Sequence, residues 1–450
     1  MKKQMRTFKS VLTIVAILLG AWSCDTKRNE SRSEAFTSNI IFPYQSEHVH
    51  GSTIVELPTG DLLSAWFQGS GERWADDVKI MGSRLVKGDT AWSTTFVMAD
   101  VDGFPDINPI MFMDLQQRLW LMWYPVLANQ WESSIPMYRI SDNYKGSGAP
   151  VWSWQDVLFV KVGDKTERGI QPGDRFVQQV RDQLKEYEQY LNSSLIPEMP
   201  DSVKKTLRAA WEKYKVKIDS LSKGENMLRT GRIQDGAKET SSQLGYPLSR
   251  RLGWQTKNKP VFLGKRMILP LYSDGFDCSL FAISDNGKDW TYSNPVLGGV
   301  GIQPTIAIGK DSTLVAYLRD NGPPPNRMQR TESHDKGLSW TIAKDDLLPN
   351  PGAGFDLVTV ATGEWVMVFN DTEKGRHNLT VALSDDEGKS WKWKKNIEND
   401  TRPDPTSSHY PAIIEGADGR IHISYSYHRN DIKPGRTVKY VSFPLAWIKN

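Results

Sequence analysis

Cysteine is nearly absent from this sequence, whose 450 residues include only Cys24 and Cys278. Because Cys24 ends an N-terminal leader, Cys278 is left alone, which excludes an intramolecular disulfide and a zinc site built from cysteines. Long hydrophobic runs are also scarce, since the only one extends from Val11 to Leu19, and 39% of the residues are apolar. This composition is typical of a soluble globular protein.

A surplus of charge is lacking once the leader is set aside. The leader carries four basic residues and no acidic one, and the rest of the chain has 52 Lys and Arg against 53 Asp and Glu. The basic pI of the sequence therefore comes mostly from the leader. It gives no reason to predict a nucleic-acid partner.

Residues 1 to 23 have the form of a bacterial lipoprotein signal peptide, with a basic start, a short apolar stretch and small residues before Cys24. We predict that Cys24 is lipidated and that residues 24 to 38 form a flexible tether. The protein would then be anchored to a membrane and face the periplasm or the cell surface. Ala21 stands where such signals usually have leucine, which leaves an ordinary secretion signal as the alternative.

Three short boxes share the pattern Ser-x-Asp-x-Gly-x-x-Trp. They extend from Ser384 to Trp391, from Ser333 to Trp340 and, with isoleucine in the serine position, from Ile283 to Trp290. The Asp side chain accepts hydrogen bonds from nearby backbone N–H groups, the Gly tolerates a positive φ, and the Trp supplies apolar packing. We interpret the boxes as structural hairpin turns and not as catalytic motifs.

A second unit, in which two apolar strands flank a turn, occurs six times. The units recur at intervals of about 50 residues, apart from one interval longer by roughly 100 residues. They begin at Ile54, Ile110, Val261, Ile306, Leu357 and Ile413. Repeats of this length with four short strands are the blades of a β-propeller, so we predict an all-β, six-bladed propeller with one insertion.

The insertion has a helical pattern. We predict two helices within residues 165 to 250, in or after the second blade, between propeller segments 39 to 164 and 251 to 450. A cap over the propeller is favoured over a packing or oligomer surface. The apolar positions that recur at helical spacing are Phe176, Val180, Leu184, Tyr187, Leu191, Val203, Leu207, Trp211, Tyr214 and Ile218.

Two features of the first blade are candidates for chemistry. His48 and His50 alternate along a strand and so share a face, but without a third ligand nearby they do not predict a metal site. Asp76 and Asp77 lie in a glycine-rich loop at a strand end, a position that often carries site residues and that also suits ordinary turn formers. We predict neither a metal nor a cofactor.

The chain resembles the sialidase-like family with BNR repeats over residues 45 to 445, apart from the insert. The resemblance rests on the boxes, the six units and a set of recurring phrases, which are Asn108-Pro-Ile, Lys257-Asn-Lys-Pro, Ile302-Gln-Pro-Thr, Asn350-Pro-Gly-Ala-Gly-Phe-Asp356 and Tyr410-Pro-Ala-Ile. Proteins with such boxes have unrelated activities, so the resemblance predicts the fold more firmly than the function.

Sialidases hold a substrate carboxylate with three arginines and use a tyrosine nucleophile, a glutamate that activates it and an aspartate acid/base. The resemblance implies that Arg319 and Arg376 are the second and third arginines and that Tyr410 is the nucleophile. Asp76 or Asp77 would be the acid/base. In the alternative, purely structural interpretation, the two arginines pair with acidic residues of the blades.

Two positions depart from the family pattern. His50 stands where the first arginine is expected, and Gln303, which cannot take a proton, stands in place of the glutamate. Two arginines still suit a carboxylate, because their planar forks bind it in a bidentate way. An acidic glycan is therefore the predicted partner, while the chemistry of bond cleavage is left open.

Three functions remain. In the first, a sialidase-like exo-glycosidase removes a terminal acidic sugar, with Tyr410 as nucleophile and His50 or His409 as its base. In the second, a lyase cleaves next to a uronic acid by β-elimination, with a histidine removing the proton and Tyr410 protonating the leaving oxygen. In the third, the propeller binds glycans without cleaving them.

Overall fold

The computed structural model describes residues 36–165, 170, 173–193, 199–222 and 252–450. The predicted signal peptide, Cys24 and nearly all of the predicted tether lie outside the described residues, so the membrane anchor stays a prediction. No helix among the described residues is long and apolar enough to cross a membrane.

Six antiparallel sheets of four strands each confirm the predicted six-bladed propeller. In every blade but the last, the four strands follow one another in the chain, and the six repeated units form the first two strands of the six blades. The strands of the first three blades are β2 (His48–Glu56), β3 (Leu62–Gly69), β4 (Lys79–Leu85) and β5 (Phe96–Ala99); β6 (Asp106–Met113), β7 (Leu119–Pro125), β8 (Met137–Ser141) and β9 (Trp154–Val157); and β10 (Val261–Leu263), β11 (Arg266–Ser273), β12 (Cys278–Ser284) and β13 (Thr291–Tyr292).

The last blade closes the ring with the first strand of the chain. Thr37 pairs with Ser442 and Ile40 with Lys439, so the outermost strand of blade 6 comes from the N-terminal side of blade 1. This pairing ties the two ends of the domain together. The strands of blades 4 to 6 are β14 (Gly301–Ile308), β15 (Leu314–Asp320), β16 (Arg327–Ser333) and β17 (Lys344–Pro349); β18 (Asp356–Thr359), β19 (Trp365–Phe369), β20 (Asn378–Ser384) and β21 (Trp393–Asn399); and β22 (Ser407–Glu415), β23 (Arg420–His428), β24 (Arg436–Pro444) and β1 (Thr37–Ile40).

The boxes form turns between the third and fourth strands of blades 3 to 5. In blade 5, Asp386 Oδ1 accepts from the backbone N–H of Ser390 at 2.9 Å, and the Ser384 hydroxyl accepts from Gly388 N–H at 2.8 Å. In blade 3 the same role falls to Ser284 and Asn286, one residue later than the sequence pattern predicts. No box residue lines the cavity that His50, Arg319 and Tyr410 share, which agrees with a structural role.

The insert follows blade 2 and contains two helices, α1 (Arg175–Leu191) and α2 (Asp201–Ser222). Their apolar faces share a buried cluster with side chains of blades 2 and 3. Residues 223–251, which include much of the predicted insert, lie outside the described part of the chain. Two short helices, a 3₁₀ turn (Trp131–Ser133) and α3 (Ala446–Lys449), complete the fold.

Gln183 of α1 fastens the insert to the propeller. Its amide Nε2 donates to Trp340 O at 2.8 Å, and its Oε1 accepts from Leu297 N–H at 2.8 Å. The side chain is buried, so both hydrogen bonds are shielded from water. The described helices thus lie against the blades, and none of their residues lines the cavity at the propeller axis, so they do not form the favoured cap; the rest of the insert lies outside the described residues.

We expect Gln183→Leu to lower the free energy of unfolding by about 2 kcal/mol, because it leaves the buried Leu297 N–H without a partner and removes one of the two donors to Trp340 O. Urea unfolding of the purified variant measures this loss. The matched control is Gln178→Leu on the exposed side of the same helix, which should change stability by less than about 0.5 kcal/mol. Equal losses in the two variants would contradict the proposed clamp.

Candidate active site

A polar cavity of about 540 Å³ lies at one end of the propeller axis. In an antiparallel blade, the start of the first strand, the end of the second and the start of the third lie at the same end, and the lining residues come from these positions. The volume suits a small-molecule ligand such as one or two sugar rings. The lining residues are His48, His50, Glu72, Arg73, Asn108, Tyr124, Trp131, Tyr272, Asp274, Gln303, Arg319, Asn321, Arg376, His409, Tyr410, His428 and Arg436.

A bulge in the innermost strand of four blades places a residue in this cavity wall. The register of each of these strands shifts at the bulge, and the bulged residues have positive φ angles, 46° at Asn108, 52° at Gln303, 46° at Tyr410 and 64° at Gly51. A left-handed conformation costs a non-glycine residue about 1–2 kcal/mol, and such strain is concentrated at functional sites. Three of the bulges continue with proline, which has no N–H to leave unpaired.

Gly51 occupies the fourth bulge because no side chain would fit there. A Cβ atom on it would lie 2.7 Å from Asn108 Oδ1 and 2.7 Å from the ring of Phe67. The adjacent blades therefore approach each other closely at this point, and His50 is fixed next to Tyr410 of blade 6. The centroids of the His50 and Tyr410 rings are 4.3 Å apart.

The hydroxyl of Tyr410 is held by two donors of the cavity wall. It accepts hydrogen bonds from Arg319 Nη1 at 2.9 Å and from Gln303 Nε2 at 3.0 Å, and Gln303 Oε1 accepts from Arg319 at 3.3 Å. Two donors, one of them cationic, stabilise negative charge that develops on the phenolic oxygen. Gln303 therefore acts as a donor to Tyr410, whereas a glutamate at the same position would accept its proton.

Arg319 and Arg376 bond only to neutral groups within the described structure. Arg376 Nη1 donates to His409 Nδ1 at 2.8 Å, and its Nη2 donates to Gly352 O at 2.9 Å. The alternative in which the two arginines pair with acidic residues of the blades is therefore wrong. Their charges are free to bind an anion from outside the protein.

Four histidines form one side of the cavity, and three of them are in close contact. The ring centroids of His50 and His409 are 5.2 Å apart, and those of His409 and His428 are 4.5 Å apart. Burial, followed by the charges of neighbouring histidines and arginines, holds the pKa values of His50 and His409 well below the usual range. Burial likewise lowers the pKa of His428 to about 4. These imidazoles are neutral near pH 7.

The hydrogen bonds of the histidines distinguish one possible base from the others. His409 Nδ1 accepts from Arg376 while its Nε2 donates to Ser407 Oγ at 2.8 Å, and His428 Nε2 donates to Val49 O at 2.8 Å. His50 Nδ1, in contrast, is buried without a hydrogen-bond partner among the described residues. Of the two histidines predicted as the base of Tyr410, His50 is thus the one with a free lone pair.

Asp76 and Asp77 do not line the cavity, which corrects the predicted acid/base. Asp77 accepts from the backbone N–H of Ser70 at 3.1 Å and from its hydroxyl at 2.8 Å, while Asp76 accepts from Asn129 Nδ2 at 3.0 Å. The bonds between Asp77 and Ser70 close the loop, the bond from Asn129 ties it to blade 2, and the loop residue Glu72 lines the cavity instead. Burial raises the pKa of Glu72, against the opposing effect of nearby arginines that include Arg376 and Arg319.

Asp274 is a second carboxyl group that the sequence interpretation missed. It lies just after β11, at the blade position that carries Glu72 in blade 1, and this equivalence was the available signal. Burial raises its pKa to about 6, and the charge of Arg319 opposes the shift. Helix α2 braces the same loop, since the Tyr214 hydroxyl donates to Asp277 O at 2.9 Å and Lys217 forms an ion pair with Asp277.

Lys257 supports Tyr410 from behind. Its Nζ lies 5.4 Å from the centroid of the Tyr410 ring and donates to Asn258 Oδ1 at 2.9 Å and to Pro411 O at 3.3 Å. Burial lowers the pKa of this amine to about 8, with the charge of Asp356 opposing. The recurring phrase that begins at Lys257 therefore holds the bulge at Tyr410 and Pro411 in place.

The described residues form no metal-binding site in the cavity. No group of three or more His, Cys, Asp or Glu side chains in that part of the chain is arranged to hold a metal ion. Two of the four histidines bond instead to protein groups, His409 to Arg376 and Ser407 and His428 to Val49 O.

Solved structures with the same fold span nearly the whole chain. The NanB sialidase from Streptococcus pneumoniae has a TM-score of 0.59 and 11% identity, with 91% of this chain and 71% of that one covered. The intramolecular trans-sialidase from Ruminococcus gnavus has a TM-score of 0.57 and 13% identity, with 92% and 98% covered. A protein of unknown function from Dyadobacter fermentans has a TM-score of 0.58 and 12% identity, with 90% and 97% covered. At these identities the likeness shows the fold alone.

Sequence comparison identifies the repeats directly. No curated protein matches the chain. The family model described as BNR repeat-like domain matches residues 60–163 and 252–423, which together are more than half of the chain and leave out the helical insert. This match, together with the six four-stranded sheets and the turns formed by the Ser-x-Asp-x-Gly-x-x-Trp boxes, shows that the chain belongs to the BNR repeat-like domain family.

Proposed function

We propose that this protein is a glycosidase that removes a terminal, carboxylate-bearing sugar from a glycan. The observation that carries the proposal is the Tyr410 hydroxyl, which Arg319 and Gln303 hold at the wall of a cavity that contains unpaired guanidinium groups. The sialidases among the solved structures with this fold support a glycoside as substrate, but only by analogy of fold.

Arg319 and Arg376 would bind the sugar carboxylate. Guanidinium groups bind carboxylates through two parallel hydrogen bonds, which fixes the orientation of the sugar as well as its position. Both side chains are held by neutral partners, so they are positioned before the substrate arrives. Such preorganisation reduces the entropy lost on binding.

The reaction would proceed in two displacements. The Tyr410 oxygen attacks the anomeric carbon as its proton passes to His50, while Glu72 donates a proton to the departing glycosidic oxygen. Glu72 then removes a proton from water, which attacks the anomeric carbon and breaks the bond to Tyr410; His50 returns the proton to the phenolate. Each step conserves protons, and the products are the free acidic sugar and the shortened glycan.

We expect Glu72→Gln to lower kcat for natural glycans by about 10²- to 10⁴-fold, because an amide cannot protonate the leaving oxygen. Burial raises the pKa of Glu72, and the acid must be protonated to act, so the activity of the parent enzyme should fall as the pH rises through this raised pKa. The variant should not show this fall on the alkaline side of its pH profile. Steady-state rates across pH check both effects. Aryl glycosides with a good leaving group need no acid, so their kcat/KM, which reports the first displacement, should fall far less than the kcat/KM of natural glycans. Equal losses for both kinds of substrate would contradict the assignment.

Elimination is the second candidate, and one observation favours it. His50 has a nitrogen without a hydrogen-bond partner next to Tyr410, and no carboxylate is bonded to the tyrosine in the described structure. In a uronate lyase, His50 would be the base and Tyr410 the acid. The products separate the two reactions, because hydrolysis incorporates solvent oxygen, whereas elimination leaves an unsaturated uronate that absorbs ultraviolet light. A protein that binds acidic glycans and cleaves none would instead be a glycan-binding module.

A further inference from the structure

Arg436 brings to the cavity a guanidinium group that the proposed reaction does not use. It is the first residue of β24, the third strand of blade 6. Tyr410 lies on the first strand of the same blade, which is innermost, so Arg436 is further from the axis. It therefore lies at the periphery of the cavity, on the side of blades 6 and 1.

The acidic residues near Arg436 are already occupied. Asp431 forms ion pairs with Arg429 and Arg402, and Asp400 pairs with Arg402. The contacts of Arg436 Nη1 are Arg429 O and Asn430 Oδ1, both at 3.5 Å, which is the limit for a hydrogen bond. Its charge is thus left without a strong partner in the described structure.

The groups between Arg436 and the catalytic residues are neutral. The pKa of His48 is lowered by burial and, to a smaller extent, by the charge of Arg436. The pKa values of His409 and His428 are lowered by burial and also by the charges of Arg376 and Arg436. His48 Nε2 is buried and has no hydrogen-bond partner among the described residues. A half-buried cation beside an unpartnered ring nitrogen is suited to bind an oxyanion.

Arg436 is also separated from the arginines assigned to the sugar carboxylate. Arg319 comes from blade 4 and bonds to Tyr410, and Arg376 comes from blade 5 and bonds to His409. Three arginines thus lie on three successive blades at the same end of the propeller. Arg436 forms no hydrogen bond with Tyr410 or His409 in the described structure, since the contacts of its guanidinium group are on the loop before β24, and this leaves its charge for another anionic group.

We propose that Arg436, with His48, forms a subsite for a second oxyanion of the substrate, a sulfate ester or another carboxylate on the same glycan. The inference rests on the proposed function for the first anion only. It predicts that the natural substrate is a glycan with at least two acidic groups, and that Arg436 determines this preference.

The test compares matched glycans that share the terminal acidic sugar and differ in the second anion. One pair differs by a single sulfate and another by one carboxylate that is reduced to an alcohol. We expect the parent protein to prefer one dianionic glycan by about tenfold or more in kcat/KM, which corresponds to one charge-assisted contact. In Arg436→Gln the ratio of kcat/KM within that pair should fall toward one, and Arg436→Lys should restore part of it. The pair that responds identifies the anion as sulfate or carboxylate.

Arg327→Gln is the matched control. Arg327 is the first residue of the third strand in blade 4, as Arg436 is in blade 6, but it pairs with Glu373 and does not line the cavity. Its substitution should leave the ratio unchanged. A parent that does not distinguish either pair, or an Arg436→Gln variant that retains the preference, overturns the subsite while the glycosidase proposal stands. If no glycan is cleaved, the glycosidase proposal fails, and calorimetric binding of the same pairs decides on the subsite.

Discussion

Replacing Tyr410 by phenylalanine should reduce kcat by at least about a thousandfold and leave glycan binding nearly intact. The substitution removes the oxygen that Arg319 and Gln303 hold, and with it the nucleophile of the hydrolase or the acid of the lyase. The ring itself remains between His50 and Lys257, so the cavity keeps its shape. Turnover assays and calorimetry with the same acidic glycan measure the two quantities separately.

Tyr272→Phe is the matched control for this substitution. Its hydroxyl is also buried in the cavity wall and bonds to the same amide, Gln303 Nε2, at 3.3 Å, but it receives no hydrogen bond from an arginine. We expect kcat to fall by less than about tenfold in this variant, since the hydrogen bonds that are lost, to Gln303, Tyr124 and Asn108, are all between neutral groups. A Tyr410→Phe protein with full activity would rule out both enzymatic assignments.

The fold was predictable from sequence because each blade is specified locally. Apolar alternation, a glycine turn and a box occur within about 50 residues, and a ring of such units buries its sheet faces only by closing. The structure adds what local patterns do not contain, such as the pairing of Thr37 with Ser442 that closes the ring. That pairing joins residues about 400 positions apart and leaves no periodic signal.

Part of the site followed from strand position. Tyr410, Gln303 and Arg319 meet because each occupies an end of a repeated strand, and the phrases with proline mark the bulges that turn two of them inward. Loop residues were not predictable in the same way. Asp77 was assigned to the site from its place in a loop, but its bonds to Ser70 close that loop and leave Glu72 facing the cavity.

Arg436 was missed for a different reason. Its strand belongs to no repeated phrase, and its lack of an acidic partner follows from the pairs that Asp431 makes with Arg429 and Arg402. Ion pairs between side chains on separate loops depend on the folded geometry and not on spacing along the chain. Helices α1 and α2 lie beside the blades and away from the cavity because their apolar faces pack against blades 2 and 3. Helical periodicity predicts an apolar face but not the surface against which it packs.

Arg319→Ala and Arg376→Ala should each weaken binding of the acidic glycan by about ten- to a hundredfold. The loss corresponds to about 1.5–3 kcal/mol for a charge-assisted hydrogen bond in a site shielded from water. The best measurement is calorimetry in the Tyr410→Phe background, where intact glycan persists because turnover is blocked. Lysine at either position keeps the charge but loses the fork, so it should recover only part of the affinity.

The two arginines should differ in their effect on turnover. Arg319 also donates to the Tyr410 hydroxyl, so Arg319→Ala in the otherwise unchanged protein should lower kcat as well as affinity, whereas Arg376 bonds to His409 and Gly352 O, and its loss should act mainly on KM. Arg330→Ala is the control, because that arginine lies on β16 with Glu332 as its partner and does not line the cavity. Unchanged affinity in both cavity variants would show that the acidic group binds elsewhere, and the assignment of a carboxylate to this pair would be wrong.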